Sequence, residues 1–279
     1  KPIIGCEVYV APEHRTVREK RRPPYHLVLL AKNNEGYANL SRLVSLGFIE
    51  GFYTKPRIDK EILAKYSKGL IGLTACLSGG GAKLISNNKV EEAYKTALEY
   101  QSLFEKDSFY LELQKNGLVE QDLVNAELLN ISELSGIPVV ATNDCHYLRR
   151  VDHQAHEVLM CIQTGKKLED TNRMRLSTDQ FYVKSPDEMY EQFQGLEHAL
   201  ENTDIIARQC DVSIEMGKFK LPRYPAPKGE TTDEYLERMS GEKLAEYLKK
   251  ERDAGLQPDE EVYMERLKFE LGVIQKMGF

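Results

Sequence analysis

An α/β fold built on a largely parallel sheet is what this sequence predicts, and three observations predict it. Short apolar runs rich in β-branched and aromatic residues recur along the first half of the chain, at Ile3 to Val10, His26 to Ala31, Leu70 to Ala75, Phe109 to Leu113 and Ile137 to Ala141. Helical patterns lie between them, and the connections are too long for hairpins. The strands read as continuous apolar stretches, the signature of burial on both faces. An open doubly wound sheet and a closed barrel share this pattern.

Each element has its own local reason. Asn39 to Phe48 follows Asn33-Asn34 and offers Leu40, Leu43, Val44 and Leu46 to a core. Val90 to Phe104 and Leu118 to Leu134 space apolar residues by three and four, the second ending before Gly136. Past about residue 150 the rhythm changes. Asp152 to Ile162 reads as a helix and Gln180 to Val183 as a short strand. Ser185-Pro186-Asp187-Glu188 opens another helix, with proline early and acids at the positive end of the dipole. Leu196 to Cys210 is again helical. Lys218 to Lys228, carrying Pro222, Pro225 and Pro227, is linker-like, and Thr232 to Glu251 and Glu260 to Met277 are two amphipathic helices with too few apolar residues for a core of their own. They read as the start of a second domain.

The 279 residues, 41% hydrophobic, suffice for a sizeable core. No run of about 18 apolar residues exists and no signal peptide opens the chain, so the expectation is a soluble, cytoplasmic protein. Cys6, Cys76, Cys145, Cys161 and Cys210 are odd in number and lack a Cys-x-x-Cys pair, which points to reduced thiols. A net charge of −6 disfavours general attraction to nucleic acid; Arg15, Arg18, Lys20, Arg21 and Arg22 form a local exception, either a solvated loop or a phosphate contact. Lys1-Pro2 leads directly into a strand without an initiator Met, and a natural protein longer at both ends is expected.

Chemistry-bearing side chains gather where strands begin and end. Asp144 and His146 follow the strand at Ile137 to Ala141, and two residues apart in an extended chain they would share a side and meet one divalent ion. A capped, solvated turn is the alternative. Glu7 interrupts an apolar strand, where an unpaired carboxylate would cost several kcal/mol, so it faces solvent or meets a partner. His26 opens a strand and Cys76 ends one; either can be an ordinary core residue, and either can ligate a metal, the thiolate suiting zinc. Together the five fit a metal cluster acting on phosphate. Ser78 to Leu84 is a weak match to a phosphate loop, since no Ser or Thr follows Lys83. His153 and His156 share a helix face and suit a surface or interface role.

Longer blocks add a resemblance. Tyr25 to Leu40, Gly51-Phe52-Tyr53 with Lys55 to Asp59, Phe109 to Gln114, Ala141 to Asp144 and Glu270 to Phe279 recur in order in one family, and over essentially its whole length the chain resembles the bacterial DNA polymerase III alpha subunits, the C-family replicative polymerases. The resemblance implies that residues 1 to about 225 are most of a polymerase-and-histidinol-phosphatase (PHP) domain. That fold is a distorted seven-stranded (β/α) barrel with a metal cluster at one mouth, its first part missing here. Residues 226–279 would begin the polymerase palm.

By the same resemblance Glu7, His26, Cys76, Asp144 and His146 stand at metal-ligand positions, for Zn or Mn, while the parent polymerase would use Mg. The family's His-x-His motif would lie upstream of Lys1 and the palm aspartates beyond Phe279. The implied activity is DNA synthesis by the parent protein, with a PHP phosphoesterase removing nucleotides from a DNA 3′ end. The implied partners are primer-template DNA, dNTPs, a sliding clamp and a proofreading exonuclease subunit. A metal-stabilised docking domain without catalysis is the alternative. A free-standing histidinol phosphatase is disfavoured by the Lys55-Pro56-Arg57 block and the helices after Lys228.

Overall fold

The computed structural model describes residues 1–18, 23–218, 222 and 224–278. Two compact units emerge, Lys1–Ile214 and Glu215–Phe279. The first is mixed α/β. Its strands are β1 (Gly5–Val10), β2 (Tyr25–Ala31), β3 (Arg57–Ile58), β4 (Leu70–Leu73), β5 (Phe109–Gln114) and β6 (Val139–Thr142). They form one six-stranded sheet in the order β3-β1-β2-β4-β5-β6. Its helices are α1 (Asn34–Ile49), α2 (Lys60–Tyr66), α3 (Gly80–Ser86), α4 (Val90–Leu103), α5 (Val119–Ser135), α6 (His153–Thr164), α7 (Pro186–Gln192) and α8 (Glu197–Gln209). The alternation of strand and helix is consistent with a PHP-type barrel.

The sheet departs from the parallel expectation at β2, which runs antiparallel to both β1 and β4; the pairs β1–β3, β4–β5 and β5–β6 are parallel. The described residues of the connection, 11–18 and 23–24, carry no helix, as an antiparallel connection allows. Pairing Tyr9 with His26 sets the register. It sends Val8, Val10, Leu27 and Leu29 into the larger core with residues of α1 to α5, and leaves Glu7, Tyr9, His26 and Val28 on the opposite face. On that face Val28 and Leu30 join a smaller cluster of Ile71, Leu73, Tyr110 and Val140, closed by Ile206 and Cys210 at the end of α8. Both faces are therefore covered, as the uninterrupted apolar strands foretold.

Several boundaries move for local reasons. Helix α1 begins at Asn34, five residues before the predicted start, because the Asn33 side chain accepts from Gly36 N at 2.9 Å and caps it. Gly36 then lies flush on the start of β4: a Cβ there would stand 1.8 Å from Gly69 O. Helices α2 and α3 and the two-residue β3 are too short to leave a periodic signal. Gln180 to Val183 is irregular apart from a single bridge, Tyr147 to Tyr182.

In the second unit, α9 (Thr232–Asp253) and α10 (Glu260–Met277) form a helix pair. A Thr231–Glu234 capping box starts α9 and Asp259 caps α10. Leu248 is the one buried hydrophobic residue among the described residues of this unit. Within the expected linker, residues 219–221 and Arg223 lie outside the described residues, as do Lys20, Arg21 and Arg22 of the basic loop.

Candidate metal centre

The antiparallel register makes Glu7 and His26 diagonal neighbours on one face, and their side chains meet, Glu7 Oε1 lying 2.9 Å from His26 Nδ1. Cys76 arrives from the end of β4. The chain turns sharply there: Ala75 has φ +60°, Gly79 N donates to Cys76 O at 2.7 Å, and His26 N donates to Ser78 O at 3.1 Å. A Cβ on Gly79 would come within 2.1 Å of Thr74 O, so only glycine permits this turn. The Ser78-Gly79-Gly80-Gly81 stretch thus tucks Cys76 Sγ to 3.7 Å from His26 Nδ1.

Tetrahedral ligands with bonds of about 2.0–2.3 Å stand roughly 3.3–3.8 Å apart, so the Cys76–His26 spacing suits two ligands of one ion, whereas the shorter Glu7–His26 contact is a hydrogen bond. The hydrogen bonds to Cys76 and Glu7 push the His26 imidazole up to about 9, and the bond to His26 in turn draws the Glu7 carboxyl below its ordinary value. In the absence of metal these groups collectively hold a proton, the smallest cation, and a metal ion would have to replace it.

Asp144 and His146 come from the end of β6 by another route than the one their spacing suggests. The chain is not extended at this point: Asp144 has φ +45°, and His146 Nδ1 lies 2.7 Å from its carbonyl oxygen. Donation by Nδ1–H to that carbonyl leaves Nε2 as the free lone pair, the tautomer a metal requires. Burial raises the Asp144 carboxyl, the charge of Glu7 adds to the rise, and His146 and His26 oppose it. Glu7 and Cys76 each contact His26, whereas Asp144 and His146 stand within electrostatic range of Glu7. Among the described residues, no three of the five bring ligand atoms within 4.8 Å of one another.

The set that does so is His14, Asp59 and Glu61, which sequence reasoning did not single out. Its cation is already present. Arg15 Nη1 lies 3.0 Å from Asp59 Oδ2 and 3.2 Å from His14 Nε2, and its Nη2 lies 2.6 Å from Glu50. Burial would raise the Asp59 carboxyl, but donation from Arg15 N, Ile62 N and the guanidinium more than reverses this. Asp59 also caps α2 through Ile62 N. Arg15 is thus committed within the protein rather than available to a phosphate backbone.

Glu112 is the residue most plainly missed. It is buried on β5 beneath the candidate centre and accepts from Ala75 N at 2.9 Å, Thr142 Oγ1 at 2.5 Å and Gln114 Nε2 at 3.0 Å. Burial raises its carboxyl, those three donors pull it down, and the neighbouring Asp144 charge raises it. A lone acid inside Phe109 to Gln114 was the available signal, the same one that exposed Glu7. His153 and His156 do not present an open surface face. His153 Nδ1 lies 3.4 Å from Tyr147 OH, and the His156 ring packs against His146 and Tyr147 at 5.8 and 5.4 Å.

The PHP domain family model matches residues 1–116. The chain is 42% identical over 284 residues to the DNA polymerase III subunit alpha of Borreliella burgdorferi, covering 100% of this chain and 24% of that protein. With the Thermus aquaticus protein of the same name it shares 42% over 250 residues, 86% of this chain and 20% of the relative; with that of Aquifex aeolicus, 36% over 296 residues, 100% and 25%. The chain spans a fifth to a quarter of the length of these relatives. Among the described residues no helix is long and apolar enough to cross a membrane. Over its whole length the chain is thus homologous to bacterial DNA polymerase III alpha subunits, and its residues 1–116 match the PHP domain.

Proposed function

We propose that this chain is the PHP-bearing part of the catalytic subunit of a bacterial replicative DNA polymerase, and that its PHP domain is a metal-dependent phosphoesterase acting on DNA 3′ ends. In this reading residues 1–225 are the PHP domain and 226–279 begin the palm. Glu7, His26, Cys76, Asp144 and His146 hold divalent ions, Zn or Mn. Polymerisation elsewhere in the parent uses Mg, primer-template DNA and dNTPs, with a sliding clamp and a proofreading exonuclease subunit as partners in the cytoplasm.

The observation that carries the phosphoesterase reading is the meeting of carboxylate, imidazole and thiolate from β1, β2 and the end of β4 at distances of 2.9 and 3.7 Å. Bound divalent ions would supply Lewis acidity toward a phosphodiester and lower the pKa of water. The protein's part is to hold the donors: the β1–β2 register fixes Glu7 on His26, the Gly79 turn fixes Cys76, and the Asp144 carbonyl fixes the His146 tautomer. Release of nucleotides from a 3′-labelled strand in Mn²⁺ or Zn²⁺, followed in the full-length protein and its Asp144→Asn variant, tests the reading. Loss of cleavage in the variant is expected; undiminished cleavage removes the hypothesis.

A second reading is a metal-stiffened docking domain without catalysis. It is favoured by the spread of the five donors, which do not close into one tight set among the described residues. Under it, the same substitution lowers the melting temperature and polymerase activity while no nuclease activity exists to lose.

A further inference from the structure

The loop that carries Asp144 and His146 is anchored away from the sheet. Strand β6 ends at Thr142, and from there the bonds run to residues 180–184: His146 N donates to Phe181 O at 2.8 Å, and Asn143 Nδ2 donates to Tyr182 O. Asn116, wholly buried, donates through Nδ2 to Asn143 O at 2.9 Å and Gln180 O at 3.2 Å, joining both segments. Lys184 completes the frame. It is the sole buried lysine among the described residues; its Nζ donates to Asn143 Oδ1 at 2.7 Å and to Gln180 O, and it lies 4.6 Å above the Tyr182 ring.

The Asn143 amide is thus engaged at both ends, its oxygen by Lys184 and its nitrogen by Tyr182 O. The next residue, Asp144, is held at φ +45°, a left-handed conformation that a non-glycine residue keeps where the surroundings over-determine it. We propose that Lys184 is a positioning residue of the metal centre: through Asn143 it holds Asp144 in its left-handed conformation and so presents Asp144 and His146 to Glu7 and His26. This rests on the metal-binding reading above.

The sign of the charge separates this role from a simpler one. A buried ammonium repels an incoming cation, so if Lys184 acted on the centre only through space, removing it would tighten metal binding. Acting as a strut, its removal weakens binding, and losing such an outer partner typically costs about 10- to 100-fold in metal affinity.

Co²⁺ titration of the full-length protein, followed by visible absorption, decides between them when paired with thermal melting of the metal-free forms. Lys184→Met is expected to bind Co²⁺ about 10- to 100-fold more weakly than the parent at a temperature where melting shows both metal-free forms to be folded. Lys184→Arg, which keeps a donor at this place, should recover much of the affinity. Equal or tighter Co²⁺ binding by Lys184→Met overturns the positioning role and leaves the metal reading standing. Absence of Co²⁺ binding in the parent protein overturns both. Should Lys184→Met fail to fold, Asn143→Ala carries the same expectation and the same refutation.

Discussion

The backbone N–H of Ala75 donates to the buried carboxylate of Glu112 at 2.9 Å, and Ala75 makes that bond from a left-handed backbone conformation at φ +60°. The bond ties the strained end of β4, from which Cys76 departs, to the interior of β5. Removing the acceptor in Glu112→Ala leaves Ala75 N, Thr142 Oγ1 and Gln114 Nε2 without their partner. At about 1–3 kcal/mol for each stranded buried donor, a loss of at least about 3 kcal/mol of stability is expected in urea unfolding.

Ala75→Gly acts in the opposite direction. A left-handed conformation costs an L-residue roughly 1–2 kcal/mol, and glycine gives back about 0.5–1 kcal/mol in chain entropy, so a small net stabilisation is expected by thermal melting. A lowered melting temperature would show that the Ala75 methyl packs more favourably than its backbone is strained.

The ion pair of Asp59 and Arg15 sets a pH dependence whose sign follows from its direction. The Asp59 carboxyl lies below its ordinary value of 3.8 in the folded protein. Its contribution is therefore complete above about pH 4 and is lost as pH falls through the lowered folded value. Asp59→Asn should flatten the acid limb of the stability curve below about pH 4 while also weakening the protein at neutral pH, by about 1.5–3 kcal/mol, because Arg15 loses one of its two close carboxylates and keeps only that of Glu50. Equilibrium unfolding at several pH values reads both effects. Identical acid limbs would assign the acid sensitivity to other carboxyls.

Gly79→Ala tests the turn behind Cys76. The new Cβ would meet the Thr74 carbonyl at 2.1 Å, so the backbone must shift and Cys76 with it. The expected result is loss of the sulfur-to-metal absorption of a Co²⁺-loaded protein, a readout specific to the thiolate. Retention of that band would mean that the turn can relax without moving the sulfur.

Chelation gives a further check. If the candidate centre binds metal, dialysis against EDTA should lower the melting temperature and Zn²⁺ or Mn²⁺ should restore it, by an amount that grows with free metal concentration. Cys76→Ser and His26→Ala should each blunt the response. A melting temperature indifferent to chelation in the parent protein would count against the centre.

How far the fold was legible depended on the kind of signal. The strands at Gly5–Val10 and Phe109–Gln114 could be read from side-chain chemistry alone, and so could the sense that Glu7 required a partner. The direction of β2 could not, because strand polarity leaves no mark on hydrophobic pattern; only the absence of a helix before Tyr25 hinted at it. The five candidate donors were readable as residue types at strand ends. The backbone reversal at Asp144 was not, since aspartate tolerates the left-handed region without being committed to it, and here the bonds of Asn143, a tertiary condition, accompany it. Glu112, Asn116 and Lys184 escaped notice for a related reason: their importance lies in what they bond across the fold.

The pairing of Tyr9 with His26 has an evolutionary corollary. Because alternate residues of β1 face opposite sides, deleting or inserting one amino acid within Gly5–Val10 would drive Glu7 into the oily layer beneath α1 to α5 and bring a valine out beside His26. The connection from residue 11 to 24 carries no such parity. A change of length there leaves the β1–β2 pairing, and with it the meeting of imidazole and carboxylate, on the same face.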